Sequence, residues 1–453
     1  MKSLLLTLLL LSVCLCKLSV YSPKSLKSEV GDKKGVIPMS IANFGLVPYG
    51  HTIMAHMKFI DDNDEGCKSF ETTLKTDTEQ SPVVLVRRGG CSFVTKVRNV
   101  EHGGGKLAVI VDEVDGEYPD QIIMVDDGTG NGIQIPSVLI GKTDGETLIT
   151  KYKELSAENK EIQLIATFDI NRPDDRVEYE FWFTASNDRG LDFIRDFRTY
   201  HERLGKKLLM IPRYFSWPCV NCDKVITDED CFCEGNYCAL DESNLRIEGR
   251  TILLEDLRQK CIYQNSLTAN KNDTAWWDYV IKAHSRCYSD FSESCSKQIH
   301  TELGISYDDT MKCVNASFTN EDHSLGDNTV LSQEVKAWNN HGAHYIPSVI
   351  INQVAYRGAL DPENVYSAIC NGYKDPQEEC KAYIDDTFKN ADKVTFNWFI
   401  LVIVFLIILN VALLLICKRI NQRSMKQEVT DAVNDYMKLR QTNQEMSDKN
   451  KHF

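Results

Sequence analysis

A long apolar segment near the C-terminus constrains the structure of this chain more than any other feature, because it determines on which side of a membrane the rest of the chain folds. The 20 residues from Trp398 to Cys417 are apolar except for Asn410. A helix of about 20 apolar residues can cross a hydrocarbon core of about 30 Å. Lysines and arginines follow directly, which favours a cytosolic C-terminus. We therefore predict a transmembrane helix over residues 396–417 and a cytosolic tail over residues 418–453.

The N-terminus has the layout of a cleavable secretory signal. Residues 1–16, MKSLLLTLLLLSVCLC, contain one lysine, then an apolar run and then small residues. The run of about ten apolar residues is too short to span a bilayer. An uncleaved anchor is the alternative interpretation. Together with the C-terminal segment, the signal predicts a type I single-pass membrane protein.

The charge of the chain restricts its partners. The net charge is −14, and the tail from Lys418 has eight Lys/Arg against five Asp/Glu, which leaves −17 for residues 1–417. An acidic luminal part argues against nucleic-acid binding and against broad adhesion to anionic membranes. The luminal part is long enough for two domains of about 100–200 residues each.

Cysteine usage agrees with an oxidising compartment. Of the 16 cysteines, thirteen lie between the signal and the apolar segment. Most should form disulfides in the secretory pathway, and an odd number leaves one over. Acceptor motifs for N-glycosylation begin at Asn272 and Asn315. These features together assign the region to the secretory lumen.

Residues 17–170 form the first predicted domain, a region of short strands. Two apolar strands, VVLV and LAVIV, flank the helical stretch SFVTKVRNVEHGG and predict a strand–helix–strand crossover. The stretch RRGGCSF, residues 87–93, lies at the strand-to-helix junction. Its glycines let another chain come close, and we expect unpaired N–H groups to point outward there. The residues alone permit a stapled turn, an anion-binding nest or a surface for another chain.

Residues 171–390 form the second predicted domain, which is rich in cysteine. A strand, an amphipathic helix and a second strand come first: EYEFWF, GLDFIRDFRTYHERLG and KKLLMIPRYF. After inserted helices over roughly residues 240–340 come a proline-led hairpin and a helix, IPSVIINQVAYRG and PENVYSAIC. This order predicts a thioredoxin-like fold. The expected fold class is α+β, with a β-rich first domain and a thioredoxin-like α/β second domain.

Cys219 and Cys222 raise the possibility of a redox enzyme, because bacterial disulfide oxidases share this arrangement. The two residues form a Cys-x-x-Cys pair after a strand, and Pro347 is a candidate cis-proline. A reactive thiol needs a lowered pKa, which the start of a helix can supply. The first strand, where such a pair normally follows, has no cysteine after it, and the acidic stretch after Cys222 predicts no helix. We therefore interpret the pair as structural.

No metal site, cofactor or hydrolase motif is predicted. A zinc ribbon needs two separated Cys-x-x-Cys knuckles, a spacing that is absent from Cys219, Cys222, Cys231, Cys233 and Cys238. The acidic stretches DDNDEG at 61–66 and DDGTGNG at 126–132 do not fit the ligand spacing of a calcium loop. We interpret both as solvated turns.

Several stretches resemble known families. VVLVRRGGCSF, KVRNVEHGGGKLAVIVDEVD and IQIPSVLIGKTDGETL resemble a protease-associated domain. SPKSLK, SIANFGLVPYG, RPDDRVEYEFW, YCALD, WWDYV and IPSVIINQVAYRGAL resemble plant vacuolar sorting receptors. Members of that family are membrane proteins that bind sorting signals on soluble cargo and carry it toward the vacuole. The resemblance covers about residues 20–380.

The resemblance implies a cargo-binding site and two disulfides. In the family an arginine-glycine-x-cysteine loop contacts the cargo peptide, and that loop corresponds here to Arg88, Gly89, Gly90 and Cys91. The family usually has an acidic residue at the position of Gly90. A Cys67–Cys91 bridge would hold the loop in shape before binding. The AIC…EEC ending implies a Cys370–Cys380 bridge.

The sequence departs from the family in two places. NDRGLDF lacks the cysteine pair that the family has after the first strand of the second domain, and Cys222 looks like an addition that would account for the odd count. Plant receptors place growth-factor-like repeats, one of them calcium-binding, before the membrane. Residues 381–395 are too few for such a module.

Two further patterns bear on transport. Tyr436 is followed three residues later by Leu439, which resembles a clathrin-adaptor sorting signal of the kind that plant sorting receptors carry. A helix face is the alternative. His51 and His56 are predicted to share one strand close in sequence to NFGLVPYG, where protonation would add positive charge beside Arg88 and assist release in an acidic compartment. Two ordinary, partly exposed histidines are the alternative.

The sequence therefore predicts a cargo receptor and no enzyme. It would bind soluble vacuolar or lysosomal proteins in the Golgi lumen, engage clathrin adaptors through its tail, and cycle between Golgi and endosomal or prevacuolar membranes. The alternative is a membrane-tethered disulfide oxidoreductase that uses Cys219 and Cys222. A membrane ubiquitin ligase with a protease-associated domain is disfavoured, because the tail has no cysteine beyond Cys417 for a zinc-binding module.

Overall fold

The computed structural model describes residues 16–383, apart from short stretches at 71–73, 75–80, 116–118, 120–121, 220, 244, 271 and 342–344. The predicted signal (except residue 16), the predicted transmembrane helix over 396–417 and the tail lie outside the described residues. None of the helices in the described part is long and apolar enough to cross a bilayer. The described residues belong to one compact unit that ends at Ile384.

The first domain contains an eight-stranded mixed sheet. Its elements are β1 (Lys17–Ser22), β2 (Val36–Ile37), β3 (Met39–Ile41), β4 (Thr52–Lys58), β5 (Val83–Arg87), α1 (Phe93–His102), β6 (Leu107–Val111), β7 (Ser137–Ile140), α2 (Lys142–Ala157) and β8 (Gln163–Thr167). The strand order is β2-β1-β8-β4-β5-β6-β7-β3. Strands β4, β5, β6 and β7 are parallel neighbours, and the remaining pairs are antiparallel.

The crossover predicted around RRGGCSF is confirmed. Helix α1 connects β5 to β6, and these two strands pair in parallel. Every residue of both strands is buried except Arg87 at the end of β5, as expected for parallel strands covered on both faces. Ser92 caps the start of α1 with its side chain, and the helix buries Val97 and Val100 against the sheet. The glycine residues of the stretch therefore lie at the carboxyl end of a buried strand.

The second domain is built on a four-stranded sheet. Its elements are β9 (Val177–Phe183), α3 (Asp188–Leu204), β10 (Leu208–Tyr214), α4 (Lys224–Asp230), β11 (Cys231–Phe232), β12 (Tyr237–Cys238), α5 (Gly249–Asn270), α6 (Thr274–Cys287), α7 (Glu293–Leu303), α8 (Tyr307–Ser317), α9 (Thr329–His341), β13 (Ser348–Ile351), β14 (Val354–Ala355) and α10 (Pro362–Asn371). The order is β10-β9-β13-β14, with β9 parallel to β10 and antiparallel to β13. This is the predicted thioredoxin-like arrangement, and the Ile346–Pro347 bond is cis.

The helical insertion predicted between β10 and β13 is present as α5 to α9. Two disulfides, Cys261–Cys313 and Cys287–Cys295, join helices of the insertion. Helix α5 also carries a buried carboxyl, Asp256, whose Oδ1 accepts a hydrogen bond from the N–H of Ala185 at 2.8 Å. Burial raises the pKa of Asp256 well above its usual range. The insertion thereby holds the segment between β9 and α3.

The two domains are joined by main-chain hydrogen bonds. The N–H of Gly358 donates to the carbonyl of Ala42 at 2.8 Å, and the N–H of Ala359 donates to that of Gly45 at 2.8 Å. The Tyr49 hydroxyl accepts from the N–H of Arg357 at 2.7 Å. The segment between β14 and α10 therefore packs as part of the edge of the first domain.

Candidate functional site

The candidate site is the glycine loop, residues 87–93, between β5 and α1. Gly89 and Gly90 have φ angles of +111° and +69°, which side chains other than glycine rarely adopt. Gly90 is exposed. The two glycines therefore present bare main chain to solvent at the end of a buried strand.

A disulfide and a buried lysine hold the glycine loop from below. The structure joins Cys67 to Cys91. Lys96 on α1 is fully buried, and its Nζ donates to the carbonyl of Gly89 at 2.5 Å and to that of Glu65 at 2.7 Å. Burial lowers the pKa of Lys96, and the nearby Glu65 carboxylate opposes this shift. The loop is thus fixed by one covalent bond and one ammonium group.

Arg87 is engaged within the domain. Its guanidinium forms a two-point ion pair with Glu146 on α2, at 2.7 and 2.8 Å, and a further pair with Asp64 at 2.7 Å. The Glu146 carboxylate raises the pKa of Arg87, and the guanidinium lowers the pKa of Glu146. The geometry makes Arg87 a fixed clamp between the loop and α2.

Arg88 is oriented by a buried carboxylate. Its Nη1 lies 2.9 Å from Oδ1 of Asp112, whose side chain is 2% exposed, while the Arg88 side chain is 33% exposed. The guanidinium also lies 5.6 Å from the ring centre of Phe93. Its Nε also lies 3.7 Å from a carboxylate oxygen of Glu113, whose side chain is exposed, so two carboxylates orient the guanidinium while part of it stays open to solvent.

The expectation of unpaired N–H groups is wrong at three positions of the stretch. The N–H groups of Arg87, Arg88 and Cys91 donate to Asp64, Val111 and Gly89, respectively, because the chain continues the sheet edge and then turns tightly. Within the part of the chain that the structure describes, the N–H groups of Gly89 and Gly90 have no such partner.

Glu65 is a site residue that the sequence did not reveal. A methyl group added at Gly90 would come within 2.2 Å of its Oε2, and one added at Gly89 would come within 2.7 Å of its Oε1. No cationic side chain among the described residues forms an ion pair with this carboxylate. The interpretation of DDNDEG as a solvated turn holds for Asp61 and Asp62, which are exposed, but Asp64 pairs with Arg87 and Glu65 covers the glycines. The Cys67–Cys91 pairing is the signal that would bring Glu65 to the loop.

The Cys-x-x-Cys pair that suggested a redox enzyme is joined in a disulfide. Cys219 and Cys222 form a disulfide, as do Cys231 and Cys238. The prediction that no helix follows Cys222 is wrong: α4 begins at Lys224. Asp223 caps this helix, because its carboxylate accepts a hydrogen bond from the N–H of Ile226. The start of α4 is therefore occupied by a carboxylate of the chain itself and not by a ligand.

Of the thirteen cysteines between the predicted signal and the apolar segment, all of which the structure describes, Cys233 is the one outside a disulfide, whereas the sequence pointed to Cys222. Cys233 is fully buried, and burial raises the pKa of its thiol to about 11. A neutral, inaccessible thiol is a poor nucleophile. The start of α3, where a thioredoxin-like reactive pair would lie, has Asn187 as its cap and no cysteine.

The remaining predicted positions lie apart from the loop. Cys370 and Cys380 form a disulfide. Asn272 and Asn315 are exposed. Among the described residues no group of His, Cys, Asp or Glu is arranged to hold a metal ion. Tyr436 and Leu439 lie outside the described residues.

The two histidines do not share a strand. His56 lies within β4, whereas His51 precedes it, because β4 begins at Thr52. The Nδ1 atom of His56 lies 2.8 Å from a carboxylate oxygen of Glu161, whereas Arg88 pairs with Asp112. These contacts do not support a direct action of His56 on Arg88.

Comparison with known proteins agrees with this architecture. Residues 177–370 match the family described as the vacuolar sorting receptor thioredoxin-like domain, and residues 52–148 match the PA domain. Vacuolar-sorting receptor 7 of Arabidopsis thaliana is 29% identical over 389 residues, which cover 80% of this chain and 59% of the relative.

Two other receptors show a similar degree of identity. Vacuolar-sorting receptor 5 of Arabidopsis thaliana is 30% identical over 371 residues, covering 75% of this chain and 57% of the relative. Vacuolar-sorting receptor 1 of Pisum sativum is 27% identical over 399 residues, which cover 82% of this chain and 62% of the relative. The chain thus spans between 57% and 62% of the length of these relatives. In its PA domain, its thioredoxin-like domain and their order, this chain is a relative of the vacuolar-sorting receptors.

Proposed function

We propose that this protein is a membrane cargo receptor that binds sorting signals of soluble proteins in the Golgi lumen and delivers them to an endosomal, vacuolar or lysosomal compartment. The observation that carries the proposal is the glycine loop, in which two glycines with unpaired N–H groups lie beside an oriented arginine. A disulfide and Lys96 hold this surface in shape, so little ordering cost remains to be met on binding.

The binding mode follows from the groups at the loop. A peptide laid across Gly89 and Gly90 accepts hydrogen bonds from their N–H groups, and Arg88 offers a charge-assisted donor to a carbonyl or carboxylate. Cys91 anchors the loop and contributes main chain. Glu65 supplies a carboxylate close to Gly90, where plant receptors usually have an acidic residue of their own. We infer that Glu65 pairs with a basic group of the cargo peptide.

The rest of the chain is assigned by the same proposal. Residues 1–16 are a signal peptide, residues 17–170 the cargo-binding domain and residues 171–390 the thioredoxin-like domain. Residues 396–417 span the membrane once, and the tail over 418–453 presents Tyr436 and Leu439 to a clathrin adaptor. Asn272 and Asn315 are glycosylated in the lumen. The receptor then cycles between Golgi and endosomal or prevacuolar membranes.

A capture experiment tests the proposal. The full-length protein in detergent is incubated with soluble secretory proteins, and the proteins bound by wild type are compared with those bound by a variant that carries Arg88→Ala and Asp112→Asn. We expect a discrete set of proteins that the variant does not retain. Identical capture by both would overturn the role of the loop, and catalytic reduction of insulin by wild type would favour the oxidoreductase instead.

A further inference from the structure

A cation lies against one sulfur of the disulfide that supports the glycine loop. Cys67 and Cys91 are both only partly buried. The Nζ atom of Lys96 lies 3.5 Å from Sγ of Cys67. Of the six disulfides that the described residues form, this is the one with an ammonium group bonded to a sulfur. The two sulfurs of the bridge are therefore not equivalent.

The surroundings of Lys96 show that its side chain is an ammonium. Its Nζ has three acceptors, which are the carbonyl of Glu65 at 2.7 Å, the carbonyl of Gly89 at 2.5 Å and Sγ of Cys67 at 3.5 Å. Three is the number of N–H groups on a protonated lysine. Burial lowers the pKa of Lys96, but three nearby carboxylates raise it. One N–H group of the ammonium therefore faces the sulfur of Cys67.

A cation beside one sulfur decides how the bridge reacts with a thiol. In thiol–disulfide exchange a thiolate attacks one sulfur, and the other sulfur leaves as a thiolate. The sulfur with the lower thiol pKa leaves faster. A neighbouring lysine lowers the pKa of a thiol because it stabilises the thiolate. The ammonium of Lys96 therefore favours departure of Cys67 and attack on Cys91.

The carboxylates near the bridge oppose this effect but are weaker. Oε2 of Glu65 lies 4.0 Å from the Cys67 sulfur. Glu65 is partly exposed, so water screens its charge, whereas Lys96 is fully buried. The other two carboxylates that act on Lys96, those of Asp64 and Glu113, each lie against an arginine of the glycine loop. The net field at the Cys67 sulfur is therefore that of the ammonium.

We propose that the Cys67–Cys91 bridge is a site of thiol–disulfide exchange with small thiols of the glutathione class, and that Cys91 receives the thiol. The thiolate of the small molecule attacks Sγ of Cys91, the bond between the two Sγ atoms breaks, and Cys67 leaves as a thiolate beside Lys96. The product is a mixed disulfide on Cys91. A second thiol molecule then frees Cys91, so two thiols are oxidised to their disulfide while the bridge is reduced.

The exchange would convert a rigid glycine loop into one that depends on Lys96 alone for its support. Disulfides that are exposed are the ones that take part in regulatory exchange, whereas buried structural bridges resist reduction. The proposal does not rest on the cargo-receptor function, because its test uses no cargo. Failure of the exchange and failure of cargo binding are therefore separate results.

The test follows the exchange in the full-length protein in detergent, with glutathione as the probe. Free thiols are alkylated at set times, and mass spectrometry of peptides locates the glutathione adduct. We expect the adduct on Cys91 and the alkyl group on Cys67. An adduct mainly on Cys67, equal amounts on both residues, or no adduct at this bridge would overturn the proposal.

Substitutions at two charged residues should change the rate of bridge opening in opposite directions. Lys96→Met should slow it about tenfold, the ratio expected when the pKa of the leaving thiol rises by about 2. Partial unfolding would speed the reaction, so slower opening cannot arise from lost stability. Glu65→Gln should speed it about threefold, because the opposing charge is removed.

Two controls belong to the same experiment. Lys68→Met removes an exposed lysine next to Cys67 in the sequence and should leave the rate unchanged. The Cys219–Cys222 bridge is also partly exposed, and no lysine among the described residues bonds to its sulfurs, so it should react at one rate in all four proteins. Equal rates of opening at Cys67–Cys91 in wild type and Lys96→Met would overturn the role of the ammonium.

Discussion

The Nζ atom of Lys96 lies 2.5 Å from the carbonyl oxygen of Gly89, so a buried ammonium under α1 is bonded directly to the main chain of an exposed loop. The same ammonium is bonded to the carbonyl of Glu65, the residue whose carboxylate lies over the glycines. Two segments that are distant in sequence are therefore positioned by one side chain. The surface that they form is rigid because its support is inside the domain.

Replacing that ammonium should disturb both segments at once. Lys96→Met keeps most of the apolar stem, but it leaves the carbonyl of Glu65 without a donor and the carbonyl of Gly89 with only the N–H of Cys91. We expect a loss of about 1–3 kcal/mol in the free energy of unfolding, the usual cost of unsatisfied buried groups, and weaker cargo binding. Thermal unfolding and calorimetry measure the two effects. The exposed Lys160→Met is the control and should change neither, and an unaltered Lys96→Met protein would contradict the supporting role.

Arg88 should contribute to cargo affinity through its outward edge. Arg88→Ala is expected to weaken binding by about 1.5–3 kcal/mol, the net worth of a hydrogen bond to a charged group. The same change leaves the buried Asp112 carboxylate without its cation, so stability should also fall. Adding Asp112→Asn should restore much of the stability and none of the affinity. Recovery of cargo affinity in the double variant, measured by calorimetry at neutral pH, would exclude a direct contact by Arg88.

Gly90 should tolerate no side chain, because a side chain there would collide with Glu65. A comparison with Gly128 separates this collision from backbone strain. Gly90→Ala places a methyl group 2.2 Å from Oε2 of Glu65 at a φ of +69°. Gly128→Ala has a similar positive φ of +89° with nothing within 4 Å. Both should lose about 1–3 kcal/mol of stability through backbone strain, but only Gly90→Ala should displace Glu65 and weaken cargo binding. Equal cargo affinities for the two variants would show that Glu65 does not contact cargo.

Asp256 should make the second domain less stable as the pH rises. Its pKa is raised by burial, so the folded state holds a proton that the unfolded chain loses above its ordinary value of 3.8. Stability should therefore fall with increasing pH above that value. Asp256→Asn keeps an acceptor for Ala185 and should be more stable than wild type at pH 7, with a difference that shrinks toward pH 4.

The surface residue Asp32 should give stability the opposite dependence on pH. Backbone hydrogen bonds from Val36 and Lys34 lower the pKa of Asp32, so its contribution to stability is present above 3.8 and lost as the pH falls. Asp32→Asn should therefore destabilise at pH 7 and have little effect in acid. Thermal melts of Asp256→Asn from pH 4 to pH 7, and of Asp32→Asn from pH 7 down to about pH 2, provide the comparison. A stability difference for Asp256→Asn that did not change with pH would contradict the raised pKa.

The tail should determine where the protein resides. If Tyr436 and Leu439 fill two adaptor pockets, Tyr436→Ala or Leu439→Ala should move the protein to the cell surface or to a degradative compartment. Gln441→Ala, just outside the motif, is the control. Surface biotinylation and microscopy measure the distribution. An unchanged location in both variants would exclude a sorting signal at this position.

Much of the fold could be predicted, because local patterns specify it. VVLV and LAVIV are continuous apolar runs on either side of an amphipathic stretch, and they form β5 and β6 around α1 as expected. Helix α4 was missed because its seven residues bury no side chain, so it has no apolar periodicity to detect. It depends instead on the cap supplied by Asp223.

The site was predictable only in part. RRGGCSF is contiguous, so its glycines and arginines could be identified as an exposed junction. Glu65 lies more than twenty positions earlier and is brought to the loop by long-range contacts, namely the Cys67–Cys91 bridge, whose sequence separation is 24, and the hydrogen bond from Lys96. Asp112, which orients Arg88, comes from the end of β6. Contacts between chain segments that pair only in the folded sheet leave no local pattern.

The hydrogen bonds from Gly358 and Ala359 to Ala42 and Gly45 have a consequence for biosynthesis. The last strand of the first domain ends at Thr167, so about 190 more residues must enter the lumen before this edge acquires its partners. At roughly 5–20 residues per second, the nascent N-terminal domain waits on the order of 10–40 s with an incomplete rim. If the chain enters the lumen as proposed, this edge would be the part of the nascent domain that stays accessible to chaperones until α10 has been translated.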